Sequence, residues 1–402
     1  MSNLQNSFRL LFRLLVSVLA APLWLAGTAQ AQQPPTPRVV DITASDGTNL
    51  KATYFAAGKP GPGVLLLHQC NRQRKVWDAL AQRLAVVGLN VLTFDFRGFG
   101  ESGGTPLDKL APQEAAQVFQ QKFPADVDTA FQYLASQADV TRGTMGAGGA
   151  SCGVNQAVQL ARRHPEVKAL VLLSEGSDPA GRQFLRESGK LPLFMAVADD
   201  DPDPGVVEMM QWLFSLSPNP ANRFERYPAG GHGVEMFEVH KELPSEIVAW
   251  FDATLKTPPA APPGKWSSQS SARTQFLELI DQPGGIAKAV EQYAEARKRD
   301  PKAVLFSEEV INRVGYEHLQ DGDTKGAVEI MKLNVVGYPN SPNVYDSLSD
   351  ACLADGQKDL ARQNAKKALE LLASDNIDPA DRQKAIKESA EQKLKQLGDT
   401  PN

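Results

Sequence analysis

The sequence lacks the features that mark a nucleic-acid-binding or membrane-spanning protein. Its 402 residues include 42 Lys and Arg against 47 Asp and Glu, so the formal net charge is −5. No long basic run occurs outside the N-terminus, and we therefore expect no nucleic-acid partner. No second apolar segment approaches the roughly 20 residues that cross a bilayer. We therefore expect no stable membrane span beyond the N-terminal segment.

Cysteine and histidine are also scarce, which narrows the redox and metal chemistry to be expected. The chain has three cysteines, so at least one stays unpaired whatever the other two do. Three of its five histidines fall in helical or surface-like contexts without a cluster of metal ligands, namely His164, His240 and His318. We expect neither a metal site nor a cofactor.

The N-terminal 31 residues have the pattern of a secretory signal. Arg9 and Arg13 precede an apolar run over 14–26, and Ala29-Gln30-Ala31 is a small-x-small cleavage site. A proline interrupts the run, which is short for a bilayer, so cleavage is favoured over the alternative of an uncleaved membrane anchor. We expect an exported protein, periplasmic or secreted.

Two regions of different texture follow. In 39–256, short apolar runs alternate with helical patterns, which predicts a mostly parallel sheet covered by helices on both faces. The proline-rich segment 257–270 is typical of an extended linker. The predicted strands are 39–44, 51–56, 63–67, 90–94, 169–173, 193–198 and 223–227, and the main predicted helices are 76–87, 125–135, 154–163, 206–216 and 244–255.

The second region, 271–397, is helical in pattern and contains a weak internal repeat. Residues 319–323 (LQDGD) match 353–357 (LADGQ) at an offset of thirty-four residues, the tetratricopeptide period. Ala327 and Ala361 lie at the same offset and are small residues suited to close helix packing. We expect an all-α helical-repeat domain, with an ordinary helical bundle as the alternative.

The pattern Gly149-x-Ser151-x-Gly153 is that of a nucleophile elbow, a sharp strand-to-helix turn that exposes a serine hydroxyl. Small residues two before and two after the serine permit so tight a turn. A helical pattern follows, but the preceding 143–148 lacks the β-branched residues of a buried parallel strand. By itself the motif is a weak signal, because it arises by chance in glycine-rich loops.

An acid and a histidine follow Ser151 in the chain order that such a serine needs. The predicted strand 193–198 is followed at once by the aspartate run 199–201, and 223–227 leads into a glycine-rich turn that holds His232. Chemistry in open parallel sheets gathers at the carboxyl ends of the strands. These side chains are therefore placed to converge.

Together these segments resemble the α/β-hydrolase superfamily, in particular dienelactone hydrolases and related esterases. The resemblance covers about 39–255 and rests on five pieces in order, namely Leu66-Leu67-His68, 94–102 (FDFRGFGES), the elbow, the aspartate run and His232-Gly233. It implies an α/β-hydrolase fold and a triad in which Ser151 attacks, His232 transfers the proton and an aspartate orients the imidazole.

The identity of the triad acid has alternatives. The family places it three residues after a small residue that ends the strand, and Ala198 fills that position, so Asp201 fits best. The other candidates, in decreasing order, are Asp200 and then Glu175 and Asp178.

The resemblance also assigns the oxyanion hole to the backbone N–H groups of Cys70 and Cys152, although Gln69 stands where the family commonly has glycine. Two N–H groups aimed at one oxygen would put their Cα atoms within about 5–7 Å, the span of a disulfide. We therefore expect a Cys70–Cys152 disulfide that leaves Cys352 free. Two buried free thiols near the site are the alternative.

Cys152 is also the alternative nucleophile, because dienelactone hydrolases use cysteine. An elbow centred on Cys152 would put the β-branched Val154 at the plus-two position, where it obstructs the turn, and a disulfide would remove the nucleophilicity of the thiol. Ser151 is therefore preferred.

Charged residues flank this constellation. Arg72, Arg74 and Lys75 would either attract an anionic substrate group or form a solvated helix start. Asp95 and Arg97 are expected to brace a loop by hydrogen bonds, and the resemblance gives His68 a structural role.

The sequence thus predicts an exported serine hydrolase that cleaves an ester or related acyl bond of a small molecule through an acyl-enzyme. A non-catalytic scaffold whose helical tail binds a protein or peptide is the alternative from another functional class. Peptidase activity is a further alternative, since the same triad cleaves amides.

Overall fold

The structure is a computed structural model and describes residues 34–189, 191–256 and 271–399. The predicted signal, 1–31, and the predicted linker, 257–270, lie outside these described residues. Within them, no helix is both long and apolar enough to cross a bilayer.

In the part of the chain that the structure describes, eight strands form one sheet in the order β1-β2-β4-β3-β5-β6-β7-β8, with β1 and β2 antiparallel to their neighbours and the rest parallel. Seven of them match the predicted strands to within two residues at each end. The strands are β1 (Arg38–Thr43), β2 (Asn49–Phe55), β3 (Gly61–Leu67), β4 (Asn90–Phe94), β5 (Val140–Ala150), β6 (Val167–Leu173), β7 (Leu193–Ala198) and β8 (Arg223–Tyr227).

The strand that propensity did not predict, β5, lies in the middle of the sheet between β3 and β6. Its glycines leave room for large neighbours. A Cβ on Gly146 would lie 2.8 Å from the Phe251 ring, and one on Gly148 would lie 2.8 Å from Leu66 Cδ2. Packing against these side chains therefore outweighs the weak intrinsic strand preference of the segment.

Eight α-helices among the described residues belong to the sheet region. Helices α1 and α8 pack on one face, while α3, α4 and α6 pack on the other. Their bounds are α1 (Asp78–Val86), α2 (Pro112–Gln117), α3 (Phe123–Ser136), α4 (Cys152–Arg163), α5 (Pro179–Glu187), α6 (Val206–Ser215), α7 (Met236–Val239) and α8 (Leu243–Lys256).

Seven further α-helices lie in the described range 271–399, after the predicted linker. Helices α13 and α14 begin thirty-four residues after α11 and α12, and Gly322 and Gly356 adopt positive φ at the equivalent turns. Ala327 and Ala361 are buried in one apolar cluster. That these pairs are tetratricopeptide units stays a prediction. The helices are α9 (Ala272–Ile280), α10 (Gly285–Arg299), α11 (Glu308–Gln320), α12 (Thr324–Gly337), α13 (Pro342–Ala354), α14 (Lys358–Leu372) and α15 (Ala380–Gln396).

The helical region packs on the sheet region instead of standing apart from it, and one apolar core runs through both. The guanidinium of Arg182, 1% exposed, lies 4.3 Å above the Trp212 ring and pairs with Asp281 and Glu317 at 2.7 Å each. A charge so buried needs partners on every side. These contacts hold the helical region against α5 and α6.

Candidate active site

Ser151 lies on a strained turn between β5 and α4. Its φ is 51° and its ψ −128°, a conformation that costs a non-glycine residue about 1–3 kcal/mol. Its N–H donates to the Leu173 carbonyl at 2.8 Å, which fixes the turn to the end of β6. The residue is partly exposed, so the strained turn presents it at the surface, at the carboxyl end of β5.

The two motif glycines are sterically obligatory. A Cβ on Gly149 would lie 2.1 Å from the Gly153 carbonyl oxygen, and a Cβ on Gly153 would lie 2.5 Å from the Leu67 carbonyl oxygen. Both obstacles are backbone atoms, which cannot swing aside. The elbow geometry predicted from the motif is therefore present, and it is centred on Ser151 and not on Cys152.

His232 and Asp201 form a largely buried pair at the carboxyl ends of β7 and β8. Nδ1 of His232 lies 2.8 Å from Asp201 Oδ1 and 3.0 Å from Oδ2, and the side chains are 12% and 1% exposed. Because a carboxylate only accepts hydrogen bonds, Nδ1 carries the proton, and Nε2 of the neutral ring is left as a base. The pair has the geometry of the orienting half of a catalytic triad.

The other acids considered from the sequence are engaged elsewhere. Asp199 pairs with Arg226 at the surface, and Asp200 accepts hydrogen bonds from the backbone N–H groups of Gly230 and Gly231. Asp178 caps α5, and Glu175 pairs with Arg313. In the region that the structure describes, Asp201 is the candidate acid that contacts His232.

The histidine loop packs directly against the elbow. A Cβ on Gly233, the residue after His232, would lie 3.3 Å from Ala150 Cβ and 2.4 Å from Gln69 Oε1. Gln69 Oε1 also accepts the Val234 N–H at 2.9 Å. The chain neighbours of His232 therefore touch the residues that precede Ser151 and Cys70, which brings the three predicted loops together.

Cys70 and Cys152 form a disulfide with a Cα–Cα distance of 5.8 Å, as predicted, and Cys352 is unpaired and buried. A cross-linked Cys152 offers no free thiol for nucleophilic attack. Neither the Cys70 nor the Cys152 N–H donates a hydrogen bond to another described residue. Cys152 is also the first residue of α4, and the first N–H groups of a helix lack intrahelical partners.

His68 orients the peptide that carries the Cys70 N–H. Its Nε2 accepts the Phe96 N–H at 3.0 Å, so Nδ1 holds the proton and donates to the Gln69 carbonyl at 2.8 Å. In a planar trans peptide, C=O and N–H point in opposite directions. Fixing the Gln69 carbonyl therefore aims the Cys70 N–H away from His68. This is the structural role that the resemblance implied.

The pKa of His232 is raised. Burial of the ring opposes the charged form, but the hydrogen bond and charge of Asp201 outweigh it, with smaller contributions from Asp203 and Glu175. The ring is therefore a stronger base than an unperturbed imidazole.

The flanking charges are mostly structural. Arg74 is 1% exposed and pairs with Asp95 and Glu101, and Lys75 also pairs with Glu101. Arg97 binds Asp126 through two bonds of 2.6 Å, which together with the Asp95 contacts confirms the predicted loop bracing. Of the three cations considered for attracting an anion, Arg74 is not accessible.

A cleft of about 950 Å³ opens beside the disulfide. Cys70, Arg72, Phe99 and Leu107 are among its lining residues, whereas Ser151 and His232 are not. Its walls are therefore mixed apolar and polar, and it adjoins the site through Cys70.

One residue near the site was not found from the sequence. Arg313, on α11, reaches Glu175 and Asp203. It lies 138 residues from Glu175 along the chain, and no local pattern connects the two.

Comparisons with known proteins agree with this architecture. A family model described as serine aminopeptidase S33 matches residues 58–199. An uncharacterised protein of Mycobacterium tuberculosis is 34% identical over 142 residues, which are 35% of this chain. The chain spans 46% of the length of that relative. The family match includes Ser151 but ends before Asp201 and His232.

The solved structures to which the chain is similar include two enzymes at low sequence identity. The esterase Pf2001 of Pyrococcus furiosus is 20% identical with a TM-score of 0.42, over 55% of this chain and 93% of its own. A dienelactone hydrolase from Anabaena variabilis is 20% identical with a TM-score of 0.43, over 56% and 100%. The family match and the sheet architecture support an α/β-hydrolase fold, and they support hydrolase activity as the general function.

Proposed function

We propose that the protein is an exported serine hydrolase that cleaves an ester or related acyl bond through a Ser151–His232–Asp201 triad. The observation that carries this proposal is the buried His232–Asp201 pair, whose loop packs against the strained turn of Ser151. Acyl transfer requires an exposed serine and an oriented imidazole, and here Ala150, the residue before the strained Ser151, contacts the loop that holds His232.

In the proposed reaction, Ser151 Oγ attacks the acyl carbon while His232 Nε2 takes the hydroxyl proton. The oxyanion forms hydrogen bonds to the N–H groups of Cys70 and Cys152. When the tetrahedral intermediate collapses, Nε2 returns the proton to the departing alkoxide and leaves an acyl-serine. Water, deprotonated by the same nitrogen, then attacks the acyl carbon. The bond from that carbon to Ser151 Oγ breaks, Nε2 returns the proton to Oγ, and the carboxylic acid leaves.

A second candidate is an aminopeptidase, because the matching family model carries that description. The same triad would then protonate a leaving amine. Ester and amide substrates with a shared acyl group separate the two, for example a p-nitrophenyl ester and a p-nitroanilide of one amino acid. The preferred substrate is the one with the higher kcat/KM.

The test is labelling by a fluorophosphonate probe with mass-spectrometric mapping of the adduct. We expect the adduct on Ser151, none in Ser151→Ala, and hydrolysis reduced by about 10⁴-fold or more in that variant. Ser174 is the matched control, since it also has positive φ at a strand end but is fully buried. Ser174→Ala is expected to label normally. Unchanged labelling of Ser151→Ala would remove the assigned nucleophile.

Export is part of the proposal and is supported by the signal-like pattern of the N-terminus and by the disulfide, which persists in oxidising compartments. We expect the mature chain to begin near Gln32. Intact-mass measurement of the protein recovered from the periplasm or medium of an expressing bacterium checks this. A full-length cytoplasmic product would contradict it. Partner binding by the helical region stays a prediction.

A further inference from the structure

The helical region reaches into the acidic side of the candidate active site through Arg313 of α11. Arg313 Nη1 donates to Glu175 Oε1, and Nη2 lies 3.2 and 3.1 Å from the two carboxylate oxygens of Asp203. The three side chains are 30%, 23% and 30% exposed. One guanidinium therefore bridges the segments after β6 and β7.

Both acids bound by Arg313 adjoin the proposed triad. The Asp203 N–H donates to Asp201 Oδ1 at 2.9 Å, the oxygen that also faces His232. The charges of Asp203 and Glu175 both act on the His232 ring. Burial raises the pKa of Glu175 even with Arg313 beside it, so Asp203 supplies the negative charge that would be left unpaired beside the pair.

Helix α11 also holds the acid loop by packing. Gly205, with a φ of 82°, ends the loop that follows the aspartate run. A Cβ there would lie 2.8 Å from Val310 Cγ2 and 3.4 Å from Glu309 Cβ. The first turn of α11 thus closes on the backbone just beyond Asp203, and the adjacent Arg313 completes the contact.

We propose that Arg313 is a positioning residue of the hydrolase site: it clamps the Asp201 loop and neutralises Glu175 and Asp203 around His232. The helical region would then be a structural part of the active site. This inference rests on the proposed function.

The charged groups that face His232 determine the direction in which its pKa should shift when Arg313 is replaced. Asp201 binds Nδ1, Asp203 and Glu175 lie beyond it, and Glu235 accepts the His232 N–H. Glu235 is itself paired with Arg72. Loss of the Arg313 charge leaves the negative charges in excess, which favours the imidazolium. The pKa of His232 therefore rises.

The test is an NMR titration of His232 in the full-length protein with ¹⁵N-labelled histidine. The chain has only five histidines, and His232→Gln assigns the signal. In Arg313→Gln we expect a His232 pKa about 0.5–1 unit higher than in the wild type. In Arg313→Gln/Asp203→Asn we expect most of that shift to be reversed, because the unpaired charge of Asp203 is removed.

Arg186→Gln is the matched control, since Arg186 also pairs with two carboxylates across the same interface, Glu278 and Asp281. We expect it to lower the melting temperature without moving the His232 pKa. In Arg313→Lys, which keeps the charge, the pKa of His232 should lie near the wild-type value. If Arg313→Gln does not fold, the kcat of Arg313→Lys is measured in its place as a test of loop position, and we expect it to be lower than that of the wild type.

The inference would be overturned if the His232 pKa were unchanged in Arg313→Gln, or if it shifted equally in Arg186→Gln. If only Arg313→Lys folds, a wild-type kcat in that variant would overturn it. The titration needs no turnover. Absence of probe labelling in the wild type would instead count against the proposed function alone.

Discussion

Gln69 joins the two loops that the proposed mechanism needs. Its Oε1 accepts the Val234 N–H at 2.9 Å, and its Nε2 donates to Asn71 Oδ1 at 2.8 Å. The side chain is fully buried. Where the resembling family commonly has glycine, this chain therefore has a side chain that ties the loop of Cys70 to the loop of His232.

Replacing Gln69 should loosen this connection. Gln69→Ala leaves the buried Val234 N–H without its partner, which costs about 1–3 kcal/mol of unfolding free energy. We expect kcat to fall by about tenfold or more, because the oxyanion donor and the base lose their common support. Urea unfolding and ester kinetics measure both. Gln132→Ala, at an exposed glutamine of α3, is the control, and equal effects in the two variants would contradict the role of Gln69.

The Cys70–Cys152 disulfide should stabilise the fold. It closes a loop with a sequence separation of 82 residues, and the chain-entropy model gives a contribution on the order of 4 kcal/mol. We expect Cys70→Ser/Cys152→Ser to unfold at lower denaturant concentration, and to become insensitive to dithiothreitol. Cys352→Ala should keep the sensitivity. A reductant that leaves the wild-type midpoint unchanged would show that the bond contributes no stability.

The elbow glycines should not tolerate alanine. The Cβ contacts at Gly149 and Gly153 fall on backbone carbonyls, so relief requires the turn itself to move. We expect each substitution to cost about 3 kcal/mol and to abolish probe labelling. Gly143, on the same strand as Gly149, has no atom within 4 Å of a built Cβ. Gly143→Ala is therefore expected to unfold and label like the wild type, and similar midpoints for all three variants would refute the steric argument.

The pH dependence of hydrolysis should report the His232–Asp201 pair. Nε2 must be unprotonated to accept the serine proton, so kcat/KM rises with pH through the pKa of His232. Although burial opposes the charged ring, Asp201 raises that pKa, and the acidic limb should lie above the ordinary histidine value of about 6.5. A limb at or below that value would contradict the pairing.

Asp201→Asn removes the charge that raises the His232 pKa, so the limb should move to lower pH. The rate should fall by roughly 10³–10⁴-fold, because an amide can select the wrong imidazole tautomer. Asp199→Asn, at the surface aspartate paired with Arg226, should retain the wild-type rate and pH profile. Equal losses at the two positions would argue against Asp201 as the triad acid.

The prediction of strands from the sequence succeeded where burial and local preference agree. Strand β4 is apolar and β-branched and was predicted to the residue, whereas β5 was missed because its glycines lower its propensity. Those glycines are required by Phe251 and Leu66, which come from other parts of the chain. A propensity that is read locally cannot include such contacts.

Within the site, spacing identified the right segments but not every role. The resemblance favoured Asp201 by its spacing from Ala198, and the structure shows what each carboxylate of the run 199–201 contacts after folding. Arg74 belongs to a run of cations that suggests a solvated face, yet Asp95 and Glu101 enclose it. Burial of a charge depends on distant partners, which is why the burial of Arg74 could not be predicted from the sequence.

The order of the elbow, the aspartate run and His232 was determined by the sequence alone, because turn sterics and strand ends depend on residues that are near neighbours in the chain. The contact of Asp201 with His232, the link from Gln69 to Val234 and the pairing of Arg313 with Glu175 were decided only by the tertiary structure. These contacts join segments up to 165 residues apart. Their energies exist only once the sheet and helices have brought those segments within a few ångströms.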